Sequence, residues 1–259
     1  MNKIIDAHIH LDQYSDDEIE KFFLDGNSID KVISVSMNLQ SCKRNLELSF
    51  RDSRILPAFG YHPEQALPTG RELADLLEWM EKHRNTMVAV GEVGLPFYRR
   101  KKDKQGEFPL QQYIELLETF VIHAKRWGKP IILHAVYDDA SIVCGLLEKH
   151  SIVKAHFHWF KGDAKTLRRI AENGYYISVT PDIVYEKEIQ SMVSDFPLGQ
   201  LMVETDGPWP FEGPFQGIKT HPNMIHASIK IIAQIKNLPE PDVYRRLYIN
   251  TLKFYSLAF

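Results

Sequence analysis

Short apolar runs rich in β-branched residues alternate with longer stretches of helical spacing along the chain. The runs are KIIDAHI (3–9), KVISVSM (31–37), RILPAFG (54–60), MVAVGEVG (87–94), KPIILHA (129–135), IVKAHFHWF (152–160), GYYISVT (174–180) and QLMVETD (200–206), and they predict eight strands. Between them, apolar positions recur every three or four residues. SDDEIEKFFLDG (15–26) opens on Ser-Asp-Asp and stops at Gly26. GRELADLLEWMEKHRN (70–85) sets Leu73, Leu76, Leu77 and Met80 on one face. PLQQYIELLETFVIHAKRWG (109–128) and DAKTLRRIAENG (163–174) each end at a glycine, a common helix stop. HPNMIHASIKIIAQIKN (221–237) and EPDVYRRLYINTLKFYS (240–256) follow the eighth run. Strands alternating with helices imply βαβ units and a parallel sheet. Eight of them in 259 residues predict an α/β fold, a (β/α)8 TIM barrel forming a single domain over residues 1–259. The alternative is an open doubly wound sheet, but no G-x-G-x-x-G follows the first run, which removes its usual dinucleotide-binding form.

Composition changes this picture little. A hydrophobic share of 44% and a charged share of 25% suit a globular enzyme. The net charge of -3 argues against a protein that coats nucleic acid through a global basic surplus. Cys42 and Cys144 have no CxxC spacing, so neither a disulfide framework nor a cysteine zinc site is expected. The opening MNKIIDAHIH does not resemble a signal peptide, and no apolar run reaches membrane-spanning length. A cytoplasmic location without membrane contact is the expectation.

The chemistry lies where the strands end. In such a barrel, catalytic groups gather at the C-terminal ends of the strands. His8 and His10 alternate with isoleucines in the first strand and so point the same way. The third strand leads into His62 and Glu64, the fourth ends at Glu92, and the fifth at His134. The sixth carries His156 and His158, and the eighth Glu204 and Asp206. Counting His8/His10, Glu92, His134, His156/His158 and Asp206, five of these strands bring a divalent-metal ligand to one rim, and spacing alone leaves His156 and His158 both open. Imidazole and carboxylate together suit Zn²⁺, Mn²⁺, Fe or Ni rather than Ca²⁺. The set is large enough for two ions sharing a carboxylate, an arrangement that serves hydrolytic displacement. His83, His123, His150 and His226 fall in or beside predicted helices and read as packing or surface residues, while His221 is undecided.

These blocks resemble the TatD-type metal-dependent hydrolases, a family of amidohydrolase-like metal barrels that includes deoxyribonucleases. IIDAHIHLD (4–12), GYHPE (60–64), AVGEVGL (89–95), PIILH (130–134), HWFKG (158–162) and LMVETDGP (201–208) match its blocks in order. The resemblance implies one or two divalent ions (Zn, Mn, Mg, Ni or Fe) held in the barrel. His8, His10 and Asp206 would bind one, His134 and His158 the other, with Glu92 bridging them. It assigns Asp206 to water activation and places His62 and Glu204 on the substrate side or behind the ligands. The implied substrate is DNA or a small phosphoester. This chain departs from the family at three rim positions. Val136 stands where an Arg is frequent, Pro96 where an Asp is usual, and EGPFQGIKTHPN (212–223) lacks an Arg-Asn-Glu-type segment. A competing reading keeps the same cage for a small amide, ester or lactone, and a third is a non-catalytic barrel with structural ions. Two rim features bear on the choice. YRRKKDK (98–104) reads as a solvated basic loop or a phosphate-attracting one. Trp159, Phe160, Trp209, Phe211 and Phe215 either stack on bases or seal the barrel mouth.

Overall fold

The computed structural model of the protein describes residues 3–24, 28–103 and 106–258. Within them all eight expected strands form: β1 (Ile4–Ile9), β2 (Ile29–Ser34), β3 (Ile55–Phe59), β4 (Ala89–Gly94), β5 (Ile131–His134), β6 (Ala155–Phe157), β7 (Tyr176–Val179) and β8 (Leu201–Val203). They pair in chain order and all in parallel. The seam between β8 and β1 closes just past the end of β8. There the Asp206 amide donates to the His8 carbonyl at 2.9 Å and the His10 amide to the Gly207 carbonyl at 2.8 Å. The buried Asp6 carboxylate stitches the same seam, accepting from the Thr205 amide at 3.0 Å and from the Thr205 hydroxyl. The fold is a (β/α)8 barrel, and the open sheet is set aside.

The helical layer comprises α1 (Asp16–Leu24), α2 (Leu39–Arg51), α3 (Gly70–His83), α4 (Phe97–Lys102), α5 (Leu110–Trp127), α6 (Asp138–Lys149), α7 (Ala164–Glu172), α8 (Lys187–Asp195), α9 (Ile225–Lys236) and α10 (Glu240–Tyr255). Four of these were not signalled by apolar spacing. The inward face of α2 is Ser41, Cys42, Asn45 and Leu48, and its asparagine amide donates to the Val35 carbonyl at 2.8 Å. A core face this polar hides the amphipathic pattern. Small residues among the inward positions of α6 blur it similarly, and α8 is short. The basic run that read as a loop is largely α4. Lys104, at its end, and the Gly26 helix stop lie outside the described residues. No helix among the described residues is long and apolar enough to cross a membrane.

Strand side chains pack on both faces, as parallel barrel strands require, and all six residues of β1 are buried. One face meets the helices. The other fills the barrel with Ala7, Ile33, Ala58, Ala89, Ile132 and Met202, joined by Phe254 and Tyr255 from α10. Glycines let β4 pass close to its neighbours. A Cβ on Gly94 would lie 2.0 Å from the His134 carbonyl oxygen, and one on Gly60 would lie 2.7 Å from that of Glu92. Gly94→Ala is therefore expected to push β5 away at His134 and to lower stability by about 1–3 kcal/mol, the usual cost of overpacking. Urea unfolding measures this, and an unchanged midpoint would contradict it.

Candidate metal centre

Every strand-end group singled out from the sequence, except His156, meets at the C-terminal mouth of the barrel. At its centre is Glu92, fully buried, whose two oxygens face different sets of imidazoles. Oε2 lies 3.1 Å from His8 Nε2 and 3.2 Å from His10 Nε2. Asp206 Oδ1 completes that group at 3.2 Å from His8 Nε2 and 3.5 Å from His10 Nε2. On the other side, Oε1 lies 2.7 Å from His158 Nε2, 3.0 Å from His134 Nδ1 and 3.3 Å from His62 Nε2. The His134 Nδ1 and His158 Nε2 atoms are 3.2 Å apart, and the His8 and His158 rings stack at 3.9 Å.

This donor set fits a cation. Four ligands placed about 2.0–2.1 Å from a tetrahedral ion are about 3.3–3.4 Å from one another, close to the spacings around His8, His10, Glu92 and Asp206. His8 Nε2, Glu92 Oε2 and Asp206 Oδ1 are also buried without a hydrogen-bond partner, an arrangement costly to leave unsatisfied. Without an ion, charge is shared among the ligands. Burial opposes charge on His10, but the adjacent Asp206 and Glu92 carboxylates prevail and raise its pKa to about 10. Burial likewise opposes ionisation of Glu92 and Asp206, yet the surrounding histidines hold both well below the ordinary carboxylate range.

Polar groups behind two of the rings distinguish their roles. His158 faces Glu204 Oε1 with Nδ1, 3.6 Å away and beyond a direct hydrogen bond, and faces the cluster with Nε2. Glu204 is itself fixed, accepting from the Trp159 amide and from Ser178 Oγ, each at 2.6 Å. His62 behaves differently, because its Nδ1 accepts from the Glu64 amide at 3.1 Å. A neutral imidazole accepting at Nδ1 carries its proton on Nε2, so His62 presents a donor toward Glu92 and the mouth, not a ligand lone pair. Burial, the largest influence on its pKa, lowers it and keeps the ring neutral.

His156 is not in the cluster. It sits deeper in the barrel, where Nδ1 meets the Tyr255 hydroxyl at 2.9 Å and Nε2 meets Ser178 Oγ. Burial, followed by the nearby His8 and His158, drives its pKa well down, so it serves as a neutral link. The Tyr255 hydroxyl donates to His156, His156 to Ser178, and Ser178 to Glu204. The helix histidines find local partners: His83 and His123 at the Trp79 and Thr119 carbonyls, His150 at Glu118, and His226 at the Tyr244 hydroxyl. His221 caps the short turn that precedes α9.

The aromatic expectations divide. Phe160 and Phe211 are buried and cannot stack on a ligand, whereas Trp209 is 57% exposed and Trp159 half-buried. The exposed Tyr98, its ring 6.0 Å from that of His134, is a rim aromatic absent from the sequence expectation. Val136 is buried and brings no charge to the mouth.

The sequence profile described as "TatD related DNase" matches residues 5–256. The chain belongs to the TatD family. Over 98% of its length it is 38% identical to an "Uncharacterized metal-dependent hydrolase" of Haemophilus influenzae, covering all of that protein. It is 28% identical to the human "Deoxyribonuclease TATDN3", with 97% of this chain and 94% of that one aligned. Among solved structures, YJJV, a TatD homologue from Escherichia coli K12, superposes with a TM-score of 0.86 at 25% identity over 99% of both chains. As a TatD-family barrel, the protein places its shared blocks around Glu92.

Proposed function

We propose that this TatD-family protein is a divalent-metal-dependent phosphodiester hydrolase, a deoxyribonuclease. The observation that carries the reading is Glu92, whose two oxygens divide the histidines into two groups with Asp206 beside one of them. His8, His10 and Asp206 would hold one ion with Glu92 Oε2; His134 and His158 would hold the second with Oε1. Bound there, such ions acidify water and polarise the phosphoryl group. The residues of the chain supply the rest. Asp206, held ionised by its histidine neighbours, accepts the proton of the attacking water. The His62 Nε2–H donates to a substrate oxygen, and the Glu204 carboxylate behind His158 favours the proton on its Nδ1 side. Exposed Arg99, Lys101 and Lys102 on α4 attract the phosphate chain, while Tyr98 and Trp209 offer faces for bases.

The test pairs a fluorogenic oligodeoxynucleotide with small phosphoesters, carboxylic esters and amides, each assayed with Mn²⁺, Mg²⁺ and Zn²⁺. Phosphodiester cleavage should predominate and fall steeply with added salt on the oligonucleotide. Asp206→Asn should reduce kcat by roughly 10²–10⁴-fold, the range expected for loss of a general base. Turnover of esters or amides alongside intact phosphodiesters would replace this reading with that of a small-molecule hydrolase.

A further inference from the structure

Glu64, one of the polar groups that follow the third strand, has a carboxylate that touches two functional parts of the molecule. Its Oε1 accepts from the Tyr98 amide at 2.8 Å and its Oε2 from the Arg99 amide at 2.6 Å, satisfying both amides at the start of α4. Oε1 also lies 3.4 Å from His134 Nε2, the nitrogen facing away from Glu92. The same side chain thus caps the first turn of the basic helix and lies against the ring of a candidate ligand.

The surroundings keep Glu64 in place. The His62 amide donates to the Met37 carbonyl at 2.9 Å. The Gln65 side chain donates to that carbonyl at 2.7 Å, and the Tyr113 hydroxyl donates to the Gln65 carbonyl at 2.7 Å. Further contacts pin α4 as well, Arg100 donating to the buried Asp139 carboxylate and Phe97, its first residue, packing on Tyr137 at 5.0 Å. Arg99 and Lys102 have no ion-pair partner among the described residues and are exposed, so the anchored helix presents free cations at the mouth.

We propose that Glu64 is a positioning residue that couples α4 to the His134 side of the metal centre. A carboxylate behind a ligating imidazole fixes its orientation and raises its basicity. Here that carboxylate is also the cap of the helix that meets the phosphate chain. Coupling of this kind is reciprocal: occupancy of the cluster steadies α4, and a substrate held on α4 steadies His134. The inference rests on the metal-centre reading above, but its test needs no turnover.

The experiment compares wild type, Glu64→Ala and Glu64→Gln as full chains. Mn²⁺ or Zn²⁺ affinity is measured by competition with a chromophoric chelator, and amide hydrogen exchange is followed over residues 97–102 with and without the ion. In wild type the ion should slow exchange in α4. Glu64→Ala should abolish that slowing and weaken the second ion by about 10–100-fold, the range found for partners behind metal ligands. Glu64→Gln, isosteric and still able to accept at one oxygen, should fall between the two and provides the result if the alanine variant does not fold. As a comparator, the double variant Arg99→Ala/Lys102→Ala should weaken binding of a labelled oligodeoxynucleotide while leaving ion affinity unchanged. Unaltered ion affinity in the Glu64 variants, or ion-induced protection of α4 that survives them, would overturn the coupling. If wild type binds ions but no oligonucleotide, the deoxyribonuclease reading fails, while the chelator and exchange results still decide the role of Glu64.

Discussion

Glu92→Gln is expected to cut phosphodiester hydrolysis by at least about a thousandfold, equivalent to losing the several kcal/mol that bound cations contribute to such a reaction. The expectation follows from geometry. Oε2 lies beside His8 and His10 and Oε1 beside His134, His158 and His62, whereas Glu204, which also approaches His8 and His158, faces His158 through Nδ1. An amide can still accept at one oxygen, but its nitrogen turns a donor toward one group, so one cation position is lost and the other loses charge. The fold should survive, because the packed faces of the barrel are built from other residues and the histidines can release their protons once the buried anion is gone. Elemental analysis should find at most one ion in the variant where wild type holds two, with a cooperative thermal transition preserved. A Glu92→Gln protein that keeps full ion content and near-normal turnover would mean that the cluster is not the reaction centre.

The sequence made the barrel legible because its strand and helix periods differ and repeat in order. It made most of the site legible because chemistry-bearing residues fall at strand ends. The remainder depended on quantities that spacing does not encode. His156 and His158 lie on the same face of one strand segment, but two residues along a strand are about 6.6 Å apart in height. That separation places one ring at the cluster and the other in the barrel interior beside Tyr255 and Ser178. The tautomer of His62 depends on the Glu64 amide, a contact made by the course of a loop. The basic run read as a loop because charges alone reveal neither the Glu64 cap nor the Arg100–Asp139 pair that hold it helical. Phe160 and Phe211 have the composition of a stacking surface, yet they are buried in packing.

Stripping divalent cations should make the protein less able to resist heat, and the deficit should widen with pH. In the ion-free protein, burial discourages charge on His10, but the adjacent Asp206 and Glu92 carboxylates raise its pKa from an ordinary 6.5 to about 10. Because this folded-state value lies above the unfolded one, the proton contributes stability that is fully present below about pH 6.5. That contribution is lost as pH rises through about 10. Cation binding reverses the trend, since a ligating nitrogen must give up its proton. Affinity should therefore rise with pH by up to about tenfold per unit for each proton displaced. An ion at a hundred times its Kd adds about 2.7 kcal/mol to the folded state, and a tighter site adds more at the same ion concentration. The Tm gap between loaded and stripped protein should accordingly grow from pH 6.5 to pH 9. Titration calorimetry in buffers of different ionisation enthalpy should also detect proton release on binding. A gap that stays constant across that range, or binding without proton release, would show that the imidazole nitrogens around Glu92 are not what the cation displaces protons from.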